Sequence, residues 1–327
     1  MKLNRICSNI DKIDLNNPED LKAILFQDKH TRIEGLCSEV AFMEDVVYAN
    51  LSPFTSDFWF SGAGRGYHVR KILTDEAISL SNLDYTILDI FASMDSCLAT
   101  SIVYFNKTSR AFYQFEHKEK KRYLKLEDYG CKLDPVANSA LSNITGRDET
   151  RIAKACAYLE KRGLLRDAAI KRLFANNWLR EFAWDIDVFT VTDEGRITAI
   201  EVKQKYPTKR NTFGINDGQL ALFDFLTKKG IPVIHVILRK PEDNPDLHAV
   251  DLLTIPEFIQ KTQLLFMRFS RKGLVSAVQK APQSTSIFGK RKVAYTHIPV
   301  RQFIFLKMLG VPVANVREKL FSGLEPL

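Results

Sequence analysis

Apolar and polar positions change period several times between residues 148 and 263. From Asp148 to Arg162 the apolar positions Ile152, Ala155, Cys156 and Leu159 recur at helical spacing, and Gly163 ends the stripe. A second helix is predicted between Arg166 and Ala175. Trp184–Thr192 switches to the two-residue alternation of a strand, and Arg196–Lys205 reads as another. Asn216–Lys229 returns to the helical period, with Leu220, Phe223 and Leu226 in register and Gly230 as terminator. The run Ile231–Leu238 has the composition of a strand buried on both faces. Val250–Leu253 reads as one more strand, and Pro256 starts a further helix. The order helix, strand, strand, helix, strand predicts an α/β core with a hairpin at its centre.

Residues 1–145 read as an α+β region. Asn17-Pro18-Glu19-Asp20 has the form of a helix start: a capping side chain, a proline in the first turn, and acids at the positive end of the dipole. Thr100–Tyr104 and Arg110–Phe115 flank a polar turn and predict a hairpin. Gly62, Gly64 and Gly66 mark a loop without the other features of a phosphate cradle. Near the end, Arg301–Leu309, Gly310-Val311-Pro312 and Val313–Leu320 resemble a helix-turn-helix, with Asn315 and Arg317 on its second helix; any short helical hairpin reads similarly. The sequence thus divides into 1–145, 146–263 and 264–327, the last expected to be basic and mainly helical.

The chemistry concentrates in the central hairpin. Asp193-Glu194-Gly195 suits a three-residue loop, a type I turn closed by a left-handed glycine. Thr192 then faces Arg196, and counting down the ladder Asp187 faces Glu201 and Asp185 faces Lys203. Asp187, Glu201 and Lys203 therefore share one face. Two facing carboxylates repel unless a cation or proton lies between them. A lone lysine does not neutralise both, and hard oxygen ligands favour Mg²⁺ or Mn²⁺ over zinc. Asp185 competes with Asp187 for such an ion. The bland alternative is a set of charges paired across a solvated hairpin, which needs no metal.

Asp187-Val188-Phe189, the turn, and Ile200-Glu201-Val202-Lys203 resemble the PD-(D/E)xK nuclease superfamily, with Ile186 in place of the proline of its name. The likeness spans roughly residues 146 to 263 and implies a restriction-endonuclease-like core, a mixed central sheet flanked by helices. It implies that Asp187, Glu201 and the Val202 carbonyl hold Mg²⁺, with Mn²⁺ able to substitute, and that Lys203 assists the attacking water. Gly146-Arg147-Asp148-Glu149 and the helix after it match the family's first core helix, which makes Glu149 a further metal ligand. Gln219 matches a polar position that related nucleases place at the substrate backbone. The implied function is Mg²⁺-dependent endonucleolytic cleavage of DNA, by a homodimer or beside a partner protein. The rival readings are a nucleic-acid adaptor with an inactive core, and a nuclease acting on RNA or branched junctions.

Charge adds a partner. The chain has 47 Lys and Arg against 39 Asp and Glu, a net +8, yet Phe258–Arg317 contains eleven basic residues and no acid. The remainder carries 36 basic and 39 acidic residues, so the whole positive excess lies in that stretch. A polyanion explains such a segregation, because each Lys or Arg near a phosphate releases a counterion. Arg271, Lys272, Lys290, Arg291, Lys292 and Arg317 are the candidate DNA contacts there, joined near the hairpin by Lys205. Lys209 and Arg210 also follow the triplet; a charged loop explains them equally well. A solubility role or an acidic protein partner is the alternative to DNA. Five widely spaced cysteines fit reduced thiols in a cytoplasmic protein better than zinc or disulfides. No apolar run has the length of a membrane span, and the N-terminus lacks the apolar segment of a secretory signal.

Overall fold

A computed structural model of the protein describes residues 14–26, 30–62, 66–94, 97–117, 123–125, 146–178, 183–241, 247–269, 280–284 and 292–324. It is a mixed α/β protein in two units, neither continuous in sequence. The first comprises residues 1–33, 57–185 and 286–289, and the second 34–56, 186–285 and 290–327. These units cut across the 1–145, 146–263 and 264–327 segments read from the sequence: most of the first unit interrupts the second, and the described C-terminal strands belong to the second unit's own sheets.

In the first unit, β2 (Phe58–Gly62), β3 (Tyr67–Leu73), β4 (Cys97–Asn106), β5 (Ala111–Glu116), β6 (Tyr123–Lys125) and β7 (Ala183–Ile186) form a sheet. Their order is β6-β5-β4-β3-β2-β7. The hairpin expected around Lys107 is β4–β5. Helix α1 (Pro18–Leu25) starts as expected, with the Asn17 side chain accepting the Glu19 N–H at 3.0 Å. Helix α3 (Asn82–Ala92) packs Phe91 on Phe60 of β2 at 5.2 Å, and α5 (Leu165–Trp178) sets Phe174 5.3 Å from Phe112 of β5. Helix α4 (Gly146–Glu160) precedes α5, and Gly163 stops it with a left-handed φ of +70°.

The second unit holds the later part of the predicted core, from Ile186 on, whereas the two helices expected at its start lie in the first unit. Its main sheet runs β1-β8-β9-β11-β12-β15, built from β1 (Phe54–Thr55), β8 (Val188–Val191), β9 (Ile197–Lys205), β11 (Val233–Arg239), β12 (Gln263–Phe269) and β15 (Ile304–Met308). The β8–β9 hairpin has the expected register. Thr192 N–H donates to the Arg196 carbonyl at 2.8 Å and Gly195 N–H to the Thr192 carbonyl at 3.0 Å, with Gly195 at φ +78°. β9 and β11 are parallel, joined through β10 (Thr212–Asn216) and helix α6 (Asp217–Lys228). β10 pairs instead with β14 (Lys292–Pro299), which also pairs with β13 (Lys280–Ser284). Helix α2 (His30–Phe42) lies on one face of β9, where Ser38 Oγ donates to Gln204 at 3.1 Å. Helix α6 lies on the opposite face, where Gln219 reaches Glu201. Gln204 thus faces α2 and Glu201 faces α6, the alternation of a strand covered on both sides.

Three expectations are corrected. Trp184–Thr192 is not one strand: β7 and β8 join different sheets, and Asp187 stands at the break. The Val250–Leu253 strand is not formed: Asp251–Leu253 lies within helix α7 (Asp251–Thr254), with Val250 just before it, and α8 (Pro256–Ile259) follows. The helix-turn-helix is absent: Arg301–Leu309 is a short 3₁₀ turn followed by β15, and only α9 (Val316–Phe321) is helical. Phe303, Leu306 and Leu309 are all buried, and their three-residue spacing mimics a helical stripe. The described C-terminal region is therefore mainly strand. No helix among the described residues is long and apolar enough to cross a membrane.

Candidate active site

The site forms where the hairpin ladder stops. Val188 pairs with Ile200, and one residue earlier the chain leaves toward β7. Val202 thereby loses the neighbour its N–H would bond. Asp187 takes that place: its Oδ2 accepts the Val202 N–H at 2.5 Å. Because a strand residue's N–H and C=O point to the same side, the Val202 carbonyl also faces this vacated edge.

Glu201, 1% exposed, follows Ile200, the last paired residue of β9 on this side, as Asp187 precedes Val188. Its Oε1 receives the Lys203 ammonium at 2.5 Å and the Gln219 side-chain amide. Lys203 also lies 4.0 Å from Asp187 Oδ2, so one ammonium serves both carboxylates. Gln219 is placed by the start of α6, where the Asn216 side chain accepts its N–H at 2.7 Å. Behind Glu201, His235 of β11 is fully buried and donates from Nδ1 to the Glu201 carbonyl at 3.2 Å. Burial, then the charges of Lys205 and Lys203, hold its imidazole well below the ordinary value, so it is neutral. Lys205, two residues past Lys203 on the same face, donates to the Gly214 carbonyl of β10. Burial and the Lys203 charge bring its ammonium down to about 8, against an opposing pull from Glu201.

The donor set fits a hard cation. Carboxylate oxygens of Glu39, Asp185 and Asp187 lie within 4.8 Å of one another, an all-oxygen group suited to Mg²⁺ or Mn²⁺. Glu39 is on α2, the helix against the back of β9. Sequence reasoning missed it. Glu149, the acid expected there, is exposed on α4 of the first unit and is not a member of the group. Asp185, weighed as a competitor of Asp187, is instead its companion. Glu201 lies outside this trio and is engaged by Lys203 and Gln219.

The expected DNA contacts scatter. Arg271, Lys272, Lys290 and Arg291 lie outside the described residues, and Lys292 is in β14. Arg317 is turned inward: its guanidinium meets Asp193 at 2.7 Å and donates to the carbonyls of Val191 and Asn50 at 2.6 and 3.3 Å. Arg268 donates to the Leu320 carbonyl, and the buried Lys307 pairs with Asp45 at 2.9 Å. Three of the eleven basic residues of the acid-free stretch thus hold the fold together. Comparison with family models, with curated proteins and with solved structures gives no match.

Proposed function

We propose that the second unit is a restriction-endonuclease-like, PD-(D/E)xK-type nuclease that hydrolyses phosphodiester bonds in DNA with the help of Mg²⁺. The observation that carries this reading is the arrangement of Asp187 and Glu201 around the single ammonium of Lys203, at a strand edge where Glu39 adds a further carboxylate. Asp187 with Glu39 and Asp185 would hold the ion, and Glu201 and the Val202 carbonyl would be the further ligands that the family likeness implies. When bound, the ion supplies Lewis acidity toward a phosphoryl oxygen and makes water a nucleophile at neutral pH. Lys203 orients that water or offsets the charge that builds on phosphorus in the transition state. Gln219 fixes the Glu201 carboxylate, so the ligand is held before substrate arrives.

The test is a cleavage assay with linear, supercoiled, single-stranded and branched DNA and with RNA, each with Mg²⁺, Mn²⁺ or Ca²⁺. The reading expects cutting of DNA with Mg²⁺ or Mn²⁺ that Asp187→Ala abolishes. Intact substrates in every mixture would overturn it and favour an adaptor with a retired core.

A further inference from the structure

The small sheet β10-β14-β13 has one buried face and one partly open face. Phe213, Ile215, Thr296 and Ile298 are buried, whereas the residues that alternate with them, Thr212, Gly214, Asn216, Tyr295, His297 and Pro299, are half-buried. The register sets Tyr295 opposite Asn216 and His297 opposite Gly214. A glycine weakens a strand interior and often marks a close approach. Here a Cβ on Gly214 would lie 3.2 Å from the Tyr295 ring and 3.6 Å from the His297 ring. The glycine thus lets both rings lie against β10. Thr212 holds His297 further, because its Oγ1 meets His297 Nδ1 at 3.2 Å and the Thr208 hydroxyl at 2.6 Å. Two aromatic side chains on the outer face are therefore set in place by the sheet itself.

Two contacts tie this face to the candidate site. Lys205, on the same side of β9 as Glu201 and Lys203, donates to the Gly214 carbonyl. Asn216 accepts the Gln219 N–H at 2.7 Å, and the Gln219 side chain reaches Glu201. β10 is thereby fastened to β9 at Gly214 and, through Gln219, at Asn216, the two residues that His297 and Tyr295 face. The three strands contain no Asp or Glu, so no carboxylate on them repels a phosphate chain. Aromatic rings without acidic neighbours, beside an ammonium, suit a nucleotide: the base stacks and the phosphate meets the cation. Spacing selects the form of the nucleic acid. Residues two apart on one strand stand about 6.8 Å from each other, about twice the 3.4 Å rise per nucleotide of a duplex strand. Rings at that spacing fit bases drawn out of their stack, not a paired helix.

We infer that Tyr295 and His297 form a stacking platform for unpaired bases of the DNA strand that enters the candidate site. This rests on the nuclease reading and narrows its substrate to single-stranded or locally opened DNA. Every base has a π face, so the platform selects the form of the strand and not its sequence. Lys205, against Gly214, is the cation for the adjoining phosphate.

The experiment measures binding of the full chain, in Ca²⁺, to two fluorescein-labelled oligomers of about 16 nucleotides. One is single-stranded oligothymidylate; the other is abasic, with the same phosphates and no bases. Anisotropy is read across about 50 to 200 mM salt. The parent protein should bind oligothymidylate about tenfold more tightly than the abasic oligomer. Tyr295→Ala should remove most of that preference and leave the abasic affinity and the salt slope unchanged, because no cation is lost. Tyr295→Phe, which keeps the ring, should retain the preference. A preference that survives Tyr295→Ala would overturn the platform, and so would equal weakening of both oligomers, which would assign the ring to folding alone. A parent protein that cuts DNA but binds the two oligomers alike would sink the platform and leave the nuclease reading standing. A parent protein that never cuts, yet loses its base preference in Tyr295→Ala, would sink the nuclease reading and leave the platform.

Discussion

Asp187 Oδ2 accepts the main-chain N–H of Val202 at 2.5 Å, across a hairpin whose pairing ends one residue earlier. The carboxylate therefore has two separable roles, capping a broken ladder and offering charge to a cation. Asp187→Asn keeps a carbonyl oxygen for the cap and removes the charge. Asp187→Ala removes both and leaves a buried N–H without an acceptor, which costs about 1–3 kcal/mol. Both variants should lose cleavage, but only Asp187→Ala should shift the urea midpoint by that amount. Equal stability of the two variants would mean that the bond contributes nothing.

Lys203 serves as internal counter-ion to two carboxylates whose side chains are 2% and 1% exposed, while its own is 30% exposed. Removing it leaves buried charges facing one another. Because the ammonium is partly solvated, the loss for Lys203→Met should be about 1–3 kcal/mol rather than the larger cost of a fully buried pair. Ca²⁺ can replace the missing positive charge without supporting chemistry. The melting temperature of Lys203→Met should therefore rise with Ca²⁺ more than that of the parent protein, and chelation should reverse the gain. Identical Ca²⁺ responses in the two proteins would separate Lys203 from the cation site.

Much of this site is legible in the sequence, and the reason is local. The turn residue Gly195 and the two-residue period on either side fix which residues face each other, so Asp187, Glu201 and Lys203 follow by counting. Asn216, Gln219 and Gly230 mark α6 in the same way. Glu39 is not legible, because most of the first unit separates its helix from the hairpin and one acid on a helix has no spacing signature. The nearest clue is Glu34 and Ser38, polar residues four apart beside the apolar positions Ile33 and Cys37. Both are buried, with Glu34 accepting the Ala249 N–H at 3.2 Å. The C-terminal strands misled for the opposite reason: sheet β15 and its turn bury every third residue from Phe303, a spacing that belongs to helices as well.

Glu39 and Glu149 give opposite expectations for metal affinity. Glu39 offers an oxygen within 4.8 Å of those of Asp185 and Asp187, whereas Glu149 is exposed on another helix and outside that group. Glu39→Gln should weaken Mn²⁺ binding about tenfold or more, read by calorimetric titration, and Glu149→Gln should leave it unchanged. Glu39 is half-buried and makes no part of the Val202 cap, and the carboxamide of its variant has the same size as the carboxylate. The reverse pattern, with Glu149 controlling the ion, would restore the assignment drawn from the family likeness.

His235 makes the site's scaffold sensitive to acid. Its folded pKa lies well below 6.5, chiefly through burial, while in the unfolded chain it titrates near its ordinary value. Above about pH 6.5 both states are neutral and the residue adds no pH dependence. Below that the unfolded chain binds a proton that the folded chain refuses, so stability falls with pH by up to about 1.4 kcal/mol per unit until the folded pKa is reached. The proton would have to enter a cluster in which Phe223, Phe269 and Phe303 surround the ring at 5.7 to 6.3 Å. His235→Phe keeps the packing and gives up the bond to the Glu201 carbonyl. It should be less stable than the parent protein at pH 7 by about 1 kcal/mol and should lose part of the parent's decline between about pH 6.5 and 5. Denaturant unfolding at the two ends of that interval measures both effects. Parallel pH profiles for the two proteins would show that the imidazole takes up its proton in the folded state.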